Sequence, residues 1–161
     1  MKNPTTVERT SERELVVRRL FSAPAHLVFE AWTKPELLKR WWVPKSFGIS
    51  FVSCEADVRT GGTYRFVFSH AASEQTMAFF GRYIEVTPHS RIVWTNEESS
   101  DGALSTVTFE EKGDKTLLAL HELYPSKQAL DDAIASGSTG TSGAGEQFDL
   151  LDTILDSLVR S

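Results

Sequence analysis

The residues whose types could perform chemistry in this sequence are few and lie in strand-like segments. His121 and Glu122 are adjacent, and imidazole and carboxyl groups are the side chains most used in acid–base catalysis. Adjacent side chains of a strand point to opposite faces, so these two act on one substrate only if a bulge intervenes. Glu122 instead shares a face with Leu118 and Leu120, which predicts a polar anchor near the mouth of a cavity or, alternatively, a solvated strand end.

His70 and Cys54 are the other two candidates. His70 continues the face formed by Tyr64, Phe66 and Phe68, so it is either a polar anchor in an apolar cavity or an exposed histidine at a strand end. Cys54 lies in a strand-like segment with no cysteine or basic neighbour, which favours a small buried hydrophobe over a nucleophile. It is the only cysteine, and the sequence predicts no disulfide, no metal site, no catalytic residue and no cofactor.

Local patterns place the first elements of the chain. The β-branched segment Glu14–Phe21 predicts a strand that ends before Pro24. Pro24 suits the first turn of a short helix, and Thr33 and Glu36 form a capping-box pattern that predicts a second one.

From residue 47 to residue 123 the pattern changes to strands separated by turns. The predicted strands are Phe47–Val58, Tyr64–His70, Met77–Val86, Arg91–Glu97, Leu104–Glu110 and Lys115–Leu123. A short helix at Ser126–Ala135 and a flexible glycine-rich joint at Gly137–Gly145 precede a long amphipathic helix. The apolar stripe of this helix comprises Phe148, Leu151, Ile154, Leu155, Leu158 and Val159, and Asp149, Asp152 and Asp156 are predicted to face solvent.

These elements predict an α+β fold with a cavity. A curved antiparallel sheet of about seven strands wraps around the C-terminal helix, with two short helices after the first strand. If the helix does not fill the space inside the sheet, a cavity remains. The residues predicted to line it and bind a ligand are Tyr64, Phe66, Phe68, His70, Phe79, Trp94, Val107, Phe109, Leu118, Leu120, Glu122, Phe148, Leu151 and Leu155.

Composition excludes several classes of partner. Lys and Arg number 17 against 22 Asp and Glu, and this net charge of −5 argues against a nucleic-acid partner. No stretch approaches the ~20 apolar residues of a membrane span, so we expect a cytoplasmic protein outside the membrane. Residues 1–12 lack periodicity and predict a flexible N-terminal tail, which leaves residues 13–161 as a single domain.

The chain resembles a known family through a series of motifs in order. They are Ala23-Pro24, Ala31-Trp32-Thr33, Pro35-Glu36-Leu37-Leu38, Trp41-Trp42, Asp57-x-Arg59-x-Gly61-Gly62 and Thr106-x-x-Phe109-Glu110-Glu111. In this combination they are similar to the bacterial homologues of the activator of Hsp90 ATPase, within the START-like (SRPBCC, Bet v 1-like) superfamily. The resemblance implies the helix-grip fold, whose cavity binds hydrophobic molecules in many members and catalyses reactions in a minority.

We predict that the chain binds a small hydrophobic or amphipathic ligand without dedicated catalytic machinery. One alternative is a cavity enzyme of cyclase, isomerase or hydrolase type that uses Glu122 or His70 as its base. Another is a chaperone- or stress-related interaction protein, and the resemblance implies an Hsp90-type chaperone as its partner. Trp41 and Trp42 are adjacent in a helix and do not both point inward, so at least one lies at the rim of the cavity or on the exposed surface. Because an exposed Trp often marks an interface, a homodimer is a further expectation.

Overall fold

Eight β-strands and four α-helices are formed by the residues that the computed structural model describes, which are 4–43, 45–72, 75–100, 102–136 and 143–160. The strands are β1 (Thr6–Ser11), β2 (Glu14–Phe21), β3 (Ile49–Ala56), β4 (Thr63–His70), β5 (Thr76–Thr87), β6 (Arg91–Thr95), β7 (Leu104–Lys112) and β8 (Lys115–Leu123). The helices are α1 (Ala25–Thr33), α2 (Pro35–Trp41), α3 (Lys127–Ser136) and α4 (Ala144–Arg160). Each strand predicted from the sequence is present with nearly the predicted ends.

The strands form one antiparallel sheet in the order β1-β2-β8-β7-β6-β5-β4-β3. The sheet is curved and unclosed, with β1 and β3 at its edges. Consecutive strands from β3 to β8 are neighbours, as short turns predict, whereas β2 pairs with β8 across most of the chain. The predicted curved antiparallel sheet is therefore confirmed.

Side-chain alternation along β8 separates the adjacent histidine and glutamate. Leu118, Leu120 and Glu122 are buried on one face of the strand. His121 lies on the other face, with its Nε2 atom 3.5 Å from Oε1 of Glu14 on β2. The prediction that the side chains of His121 and Glu122 point to opposite faces of the strand is confirmed.

Strand β1 corrects the prediction of a flexible tail at residues 1–12. Thr6–Ser11 pairs with β2, with Thr6 opposite Arg18 and Arg9 opposite Leu15. All of its side chains are exposed, so no apolar alternation marks it in the sequence, and its order comes from main-chain pairing at the sheet edge. For this reason the sheet has eight strands rather than about seven.

Helices α1 and α2 meet at Lys34, which is the C-cap of α1 and the N-cap of α2. The capping-box interpretation of Thr33 and Glu36 is wrong, because Oγ1 of Thr33 donates to the carbonyl oxygen of Phe29, 3.0 Å away within α1. Pro35 occupies the first turn of α2, where its fixed φ favours the helix and its missing N–H costs nothing. The tight turn folds α2 back against α1.

Helix α4 packs against α1 and α2 and covers part of the buried sheet face. The buried side chains of its predicted stripe are Phe148, Leu151, Ile154 and Leu155. The ring of Phe148 meets that of Phe21 on β2 edge to face, with centroids 5.7 Å apart. Leu158 is partly buried and packs against the core, whereas Val159 is 49% exposed and does not belong to the stripe.

A buried arginine pairs with the polar side of α4. Arg19 of β2 is only 3% exposed. Its guanidinium donates to Oδ1 of Asp149 at 2.8 Å and to Oδ2 of Asp152. The prediction that three aspartates face solvent is therefore wrong for Asp152, whose side chain is 20% exposed. Asp149 also pairs with Arg19 but remains about half exposed, and Asp156 is exposed and pairs with Arg160.

Helix α3 lies between the last strand and α4. The side chain of Ser126 caps it, since Oγ of Ser126 accepts a hydrogen bond from the N–H of Ala129 at 3.0 Å. The predicted flexible joint falls mostly on residues 137–142, which lie outside the described residues. Its last two residues, Ala144 and Gly145, already belong to α4.

Gly62 closes the turn between β3 and β4 at the end of the Asp57-x-Arg59-x-Gly61-Gly62 motif. A Cβ atom on Gly62 would lie 1.9 Å from the carbonyl oxygen of Asp57, a backbone atom that cannot rotate aside. We expect Gly62→Ala to lower the free energy of unfolding by more than about 1 kcal/mol, measured by urea denaturation. Gly145→Ala is the control, because a Cβ there meets nothing within 4 Å, and equal stability of the two variants would contradict the prediction.

Candidate ligand-binding cavity

A cavity of about 840 Å³, open to solvent, is lined by the inner face of β3–β6, the end of β8, α1–α3 and the start of α4. Its aromatic lining residues are Trp32, Trp42, Phe47, Tyr64, Phe66, Phe68, Phe79, Tyr83, Trp94 and Tyr124. The aliphatic ones are Leu38, Val43, Ile49, Met77, Ile92, Ala103, Ala129 and Ala133, and the polar ones are Asn96, Glu98, Ser99, Glu122, Asp132, Ser136 and Gln147. The lining is thus mainly apolar, with polar groups concentrated on a few segments.

The structure places some of the predicted ligand-binding residues at this cavity and others elsewhere. Those that line it are Tyr64, Phe66, Phe68, Phe79, Trp94 and Glu122. Those that do not are Val107, Phe109, Leu118, Leu120, Phe148, Leu151 and Leu155, which are buried in the apolar core. They lie on the expected face, but α1 and α4 pack over β2, β7 and β8 there and leave no space.

His70 and Cys54 also lie outside the cavity lining. His70 is exposed at the end of β4, and its Nδ1 accepts a hydrogen bond from the N–H of Ala72 at 3.0 Å. Burial raises the pKa of the Cys54 thiol, and this effect exceeds the opposite effect of Lys39, a basic neighbour that the sequence did not reveal. The thiol is therefore a poor nucleophile. Within the described ranges, no three His, Cys, Asp or Glu side chains are grouped as a metal site requires.

Glu122 is a buried carboxyl in the cavity wall, only 4% exposed. Oγ of Ser105 donates to its Oε2 at 3.3 Å, and the hydroxyl of Tyr124 donates to its Oε1 at 3.4 Å. Ser105 lies opposite Glu122 in the β7–β8 register, so strand pairing fixes this contact. The alternative of a solvated strand end is wrong, and the cavity wall instead presents a held carboxyl that can accept a hydrogen bond or pair with a cation.

Asn96 extends the polar wall toward β6. Its Nδ2 donates to Oγ of Ser105 at 3.0 Å and to the carbonyl oxygen of Ala103 at 2.6 Å. On the neighbouring strand β4, the hydroxyl of Tyr64 donates to the carbonyl oxygen of Thr95 at 2.7 Å. Burial raises the pKa of Tyr64, so its phenol stays neutral and oriented. Much of this wall's hydrogen-bonding capacity is therefore used within the protein.

Glu98 is a second carboxyl in the lining. Its Oε2 atom is buried and has no hydrogen-bond partner among the described residues. Burial raises the pKa of Glu98, and the charge of Glu98 in turn raises the pKa of Tyr64, so the two groups lie near each other. An unpaired buried oxygen is costly, so a hydrogen-bond donor or a cation brought to this point would be stabilising.

Three indoles pack together in the cavity wall. The centroid distances are 5.7 Å between Trp32 and Trp42, 5.9 Å between Trp32 and Trp94, and 6.5 Å between Trp42 and Trp94. Trp41, next to Trp42 in the sequence, is fully buried behind them. Trp42 is half-buried and faces the cavity, so this corner lacks the exposed indole from which a homodimer was expected.

Sequence reasoning missed several lining residues, and period-two spacing could have found six of them. Ile92, Asn96 and Glu98 share the spacing of Trp94, Met77 and Tyr83 share that of Phe79, and Tyr124 follows Glu122 by two residues. No local pattern marks the lining residues that are contributed by helix faces. They include Trp32, Asp132 and Gln147.

The fold and cavity define a class of protein. A curved, unclosed antiparallel sheet around a long C-terminal helix is the helix-grip, or Bet v 1-like, fold of the START-like superfamily. The family model described as "Activator of Hsp90 ATPase homolog 1-like protein" matches residues 22–156, and the chain belongs to that family. Membership places it among ligand-binding or chaperone-associated proteins. In the described part of the chain, no helix has the length and apolar character to span a bilayer.

Solved structures share the whole architecture. A protein from Rhodobacter sphaeroides is 26% identical, with a TM-score of 0.84 over 96% of this chain and 99% of that chain. A protein from Nitrosomonas europaea is 22% identical, with a TM-score of 0.80 over 93% of this chain and 98% of that chain. An "AHSA1-like protein" from Aeromonas hydrophila is 16% identical, with a TM-score of 0.66 over 88% and 94%. No curated protein matches the chain.

Proposed function

We propose that this protein binds a small hydrophobic or amphipathic molecule in the cavity. The observation that carries the proposal is the cavity itself, whose volume of about 840 Å³ lies within the ~300–1,000 Å³ of small-molecule sites. Its lining combines many aromatic side chains with a few fixed polar groups, which is the usual composition of such sites. Tyr64, Phe66, Phe68, Phe79 and Trp94 supply apolar contacts to the ligand.

Glu122 is the polar anchor in this proposal. Its contacts with Ser105 and Tyr124 hold the carboxyl in one orientation before a ligand arrives. A preorganised group loses little conformational entropy on binding, so it contributes to affinity and orientation more than a mobile one.

Blocking the cavity from α3 tests the proposal. Ala133 lines the cavity, and an indole in place of its methyl group would occupy space that a ligand needs. We expect Ala133→Trp to weaken binding of the neutral dye Nile red, followed by its fluorescence, by about tenfold or more. The matched control is Ile134→Trp, because Ile134 is the next residue of the same helix and is 46% exposed.

The two α3 variants give different results depending on whether the dye binds in the cavity. Equal loss of Nile red affinity in the two α3 variants, or no loss in either, would contradict binding in the cavity. Native mass spectrometry of wild-type protein purified from its host gives a second measurement, and a small molecule retained by wild type and absent from Ala133→Trp is the expected result.

Acid–base catalysis in the same cavity is the second candidate, and Glu122 is the observation that favours it. Its carboxyl is buried, oriented and part of the lining, which is the setting of a catalytic acid or base. Glu122→Gln keeps the side-chain volume and removes the proton-transfer group, so a reaction that needs Glu122 would stop while apolar contacts with the substrate remain. Association with an Hsp90-type chaperone is supported by the family alone.

A further inference from the structure

The charged groups of the cavity all have one sign. Glu98, Glu122 and Asp132 belong to its lining, and none of the described residues that line it is Lys, Arg or His. A ligand carboxylate or phosphate in this cavity would meet negative charge and have no cation to pair with. Burying an anion in this way is unfavourable, because its lost hydration is not replaced.

Apolar and acidic lining residues differ in the strands that carry them. Strands β3 and β4 contribute apolar side chains, among them Phe66 and Phe68. Glu122 is on β8 and Asp132 is on α3, whereas Glu98 follows β6 and lies beside Phe79 of β5, because the N–H of Glu97 donates to the carbonyl oxygen of Phe80 at 2.8 Å. The cavity is thus apolar along β3 and β4 and carries its acidic groups on the elements from β6 onward, which matches a molecule with a hydrocarbon part and a cationic head.

Two side-chain atoms of the lining residues lack partners. Oε2 of Glu98 is a buried acceptor and Nε1 of Trp32 a buried donor, and neither has a hydrogen-bond partner among the described residues. An ammonium group satisfies the acceptor with a charge-assisted hydrogen bond. The indoles of Trp32, Trp42 and Trp94 also favour a cation near their faces, because the face of an aromatic ring carries partial negative charge.

We propose that the cavity selects cationic amphiphiles, with an amine or quaternary ammonium head toward Glu98 and Glu122 and a hydrocarbon part against Phe66 and Phe68. This inference rests on the proposed function and adds the charge class of the ligand to it. Fatty acids and other anionic lipids are the class that it excludes.

Three probes with the same decyl chain test the charge preference: decylamine, 1-decanol and decanoate. Each is titrated at pH 7, below the concentration at which it aggregates, against protein carrying Nile red. We expect decylamine to displace the dye at about tenfold lower concentration than decanoate, with 1-decanol between them, because only the amine gains the carboxylates as partners.

Variants that each remove one carboxylate test whether the preference for the amine arises in the cavity. Glu98→Gln and Glu122→Gln should each reduce the decylamine-to-decanoate preference severalfold, and should weaken 1-decanol less than decylamine, because the amide oxygen still accepts a hydrogen bond but carries no charge. Glu55→Gln is the control, because Glu55 is exposed and lies outside the lining, yet its loss changes the net charge by the same amount. Glu98 is only partly buried, so Glu98→Gln keeps the test informative if Glu122→Gln is unstable.

The failure of this inference is distinct from the failure of the proposed function. Decanoate displacing Nile red as well as decylamine does would overturn the charge preference while leaving binding in the cavity intact. An unchanged preference in the Glu98→Gln and Glu122→Gln variants, or an equal reduction in Glu55→Gln, would also overturn it. Nile red binding that Ala133→Trp does not affect would remove the proposed function itself.

Discussion

We expect the Asp149→Ala/Asp152→Ala double variant to lose about 3 kcal/mol or more of its free energy of unfolding. Both carboxylates neutralise the guanidinium of Arg19, which is 3% exposed on the inner face of β2. Without them a buried cation remains with Oγ1 of Thr5 as a neutral partner, 3.0 Å away. The loss is large because the charge stays dehydrated while its counterions disappear, and urea or thermal denaturation measures it.

A third substitution distinguishes the effect of an unpaired Arg19 from a direct effect of the two substitutions on α4. Arg19→Met in the double-variant background removes the unpaired cation and leaves an apolar side chain next to Phe21, over which the guanidinium lies at 5.4 Å from the ring centroid. We expect most of the stability to return, because an apolar replacement of a buried ion pair is often neutral or stabilising.

Asp156→Ala is the control on the same helix. Its carboxylate is exposed and pairs with Arg160 at the surface, so we expect a change of about 0.5 kcal/mol or less. If Asp156→Ala and the double variant are equally stable, or if Arg19→Met fails to restore stability, the role assigned to the buried ion pairs is wrong.

Substitutions of the adjacent residues Trp41 and Trp42 are expected to differ in their effects on stability and on binding. Trp41→Ala should cost about 3–5 kcal/mol, because Trp41 is fully buried and its removal leaves a large void in the core. Its Nε1 donates to the carbonyl oxygen of Ala31 at 2.9 Å, and its ring packs against Trp32 with centroids 4.8 Å apart. The exchange therefore removes both packing and the hydrogen bond that joins α2 to α1.

Trp42→Ala should affect binding more than stability. The Trp42 ring is half-buried, lines the cavity and packs against Phe66 with centroids 5.7 Å apart. We expect severalfold weaker binding of Nile red and a smaller loss of stability than in Trp41→Ala, because solvent or ligand can occupy the space that the indole leaves. Dye titration and urea unfolding of both variants give the comparison, and equal losses of stability would contradict the assignment.

Most of the sheet was predictable because its local patterns agree with its tertiary environment. The alternation of Tyr64, Phe66 and Phe68 marks β4 because these side chains are buried on one face, whereas Thr63 and Arg65 on the other face are exposed. β1 has no such contrast, since both of its faces are exposed, and a pattern based on burial cannot detect it. The ion pairs of Arg19 were not predictable for a different reason. A charged residue on a buried face gives no local sign of its partners, which here lie on a helix far along the chain.

The sequence indicates which face of the sheet is buried, but it does not indicate where along that face the cavity lies. Phe109 and Leu118 lie on the inner face with Phe66 and Phe68, and alternation treats all four alike. Phe66 and Phe68 line the cavity and Phe109 and Leu118 do not, because the helices pack over only part of the sheet. The position of the helices depends on contacts between distant segments. Trp94 shows how much was accessible: continuing its spacing by two and by four residues leads to Asn96 and Glu98 at the cavity.

The pairing of β2 with β8 has a consequence for the synthesis of the chain. Glu14 pairs with Leu123 and Phe21 with Thr116, so β2 leaves the ribosome long before its inner neighbour has been translated. Until then β1 is the only strand that can pair with it, through a local hairpin that needs no later residue. β1 therefore shields one edge of an apolar strand during elongation, when unpaired edges are most open to aggregation.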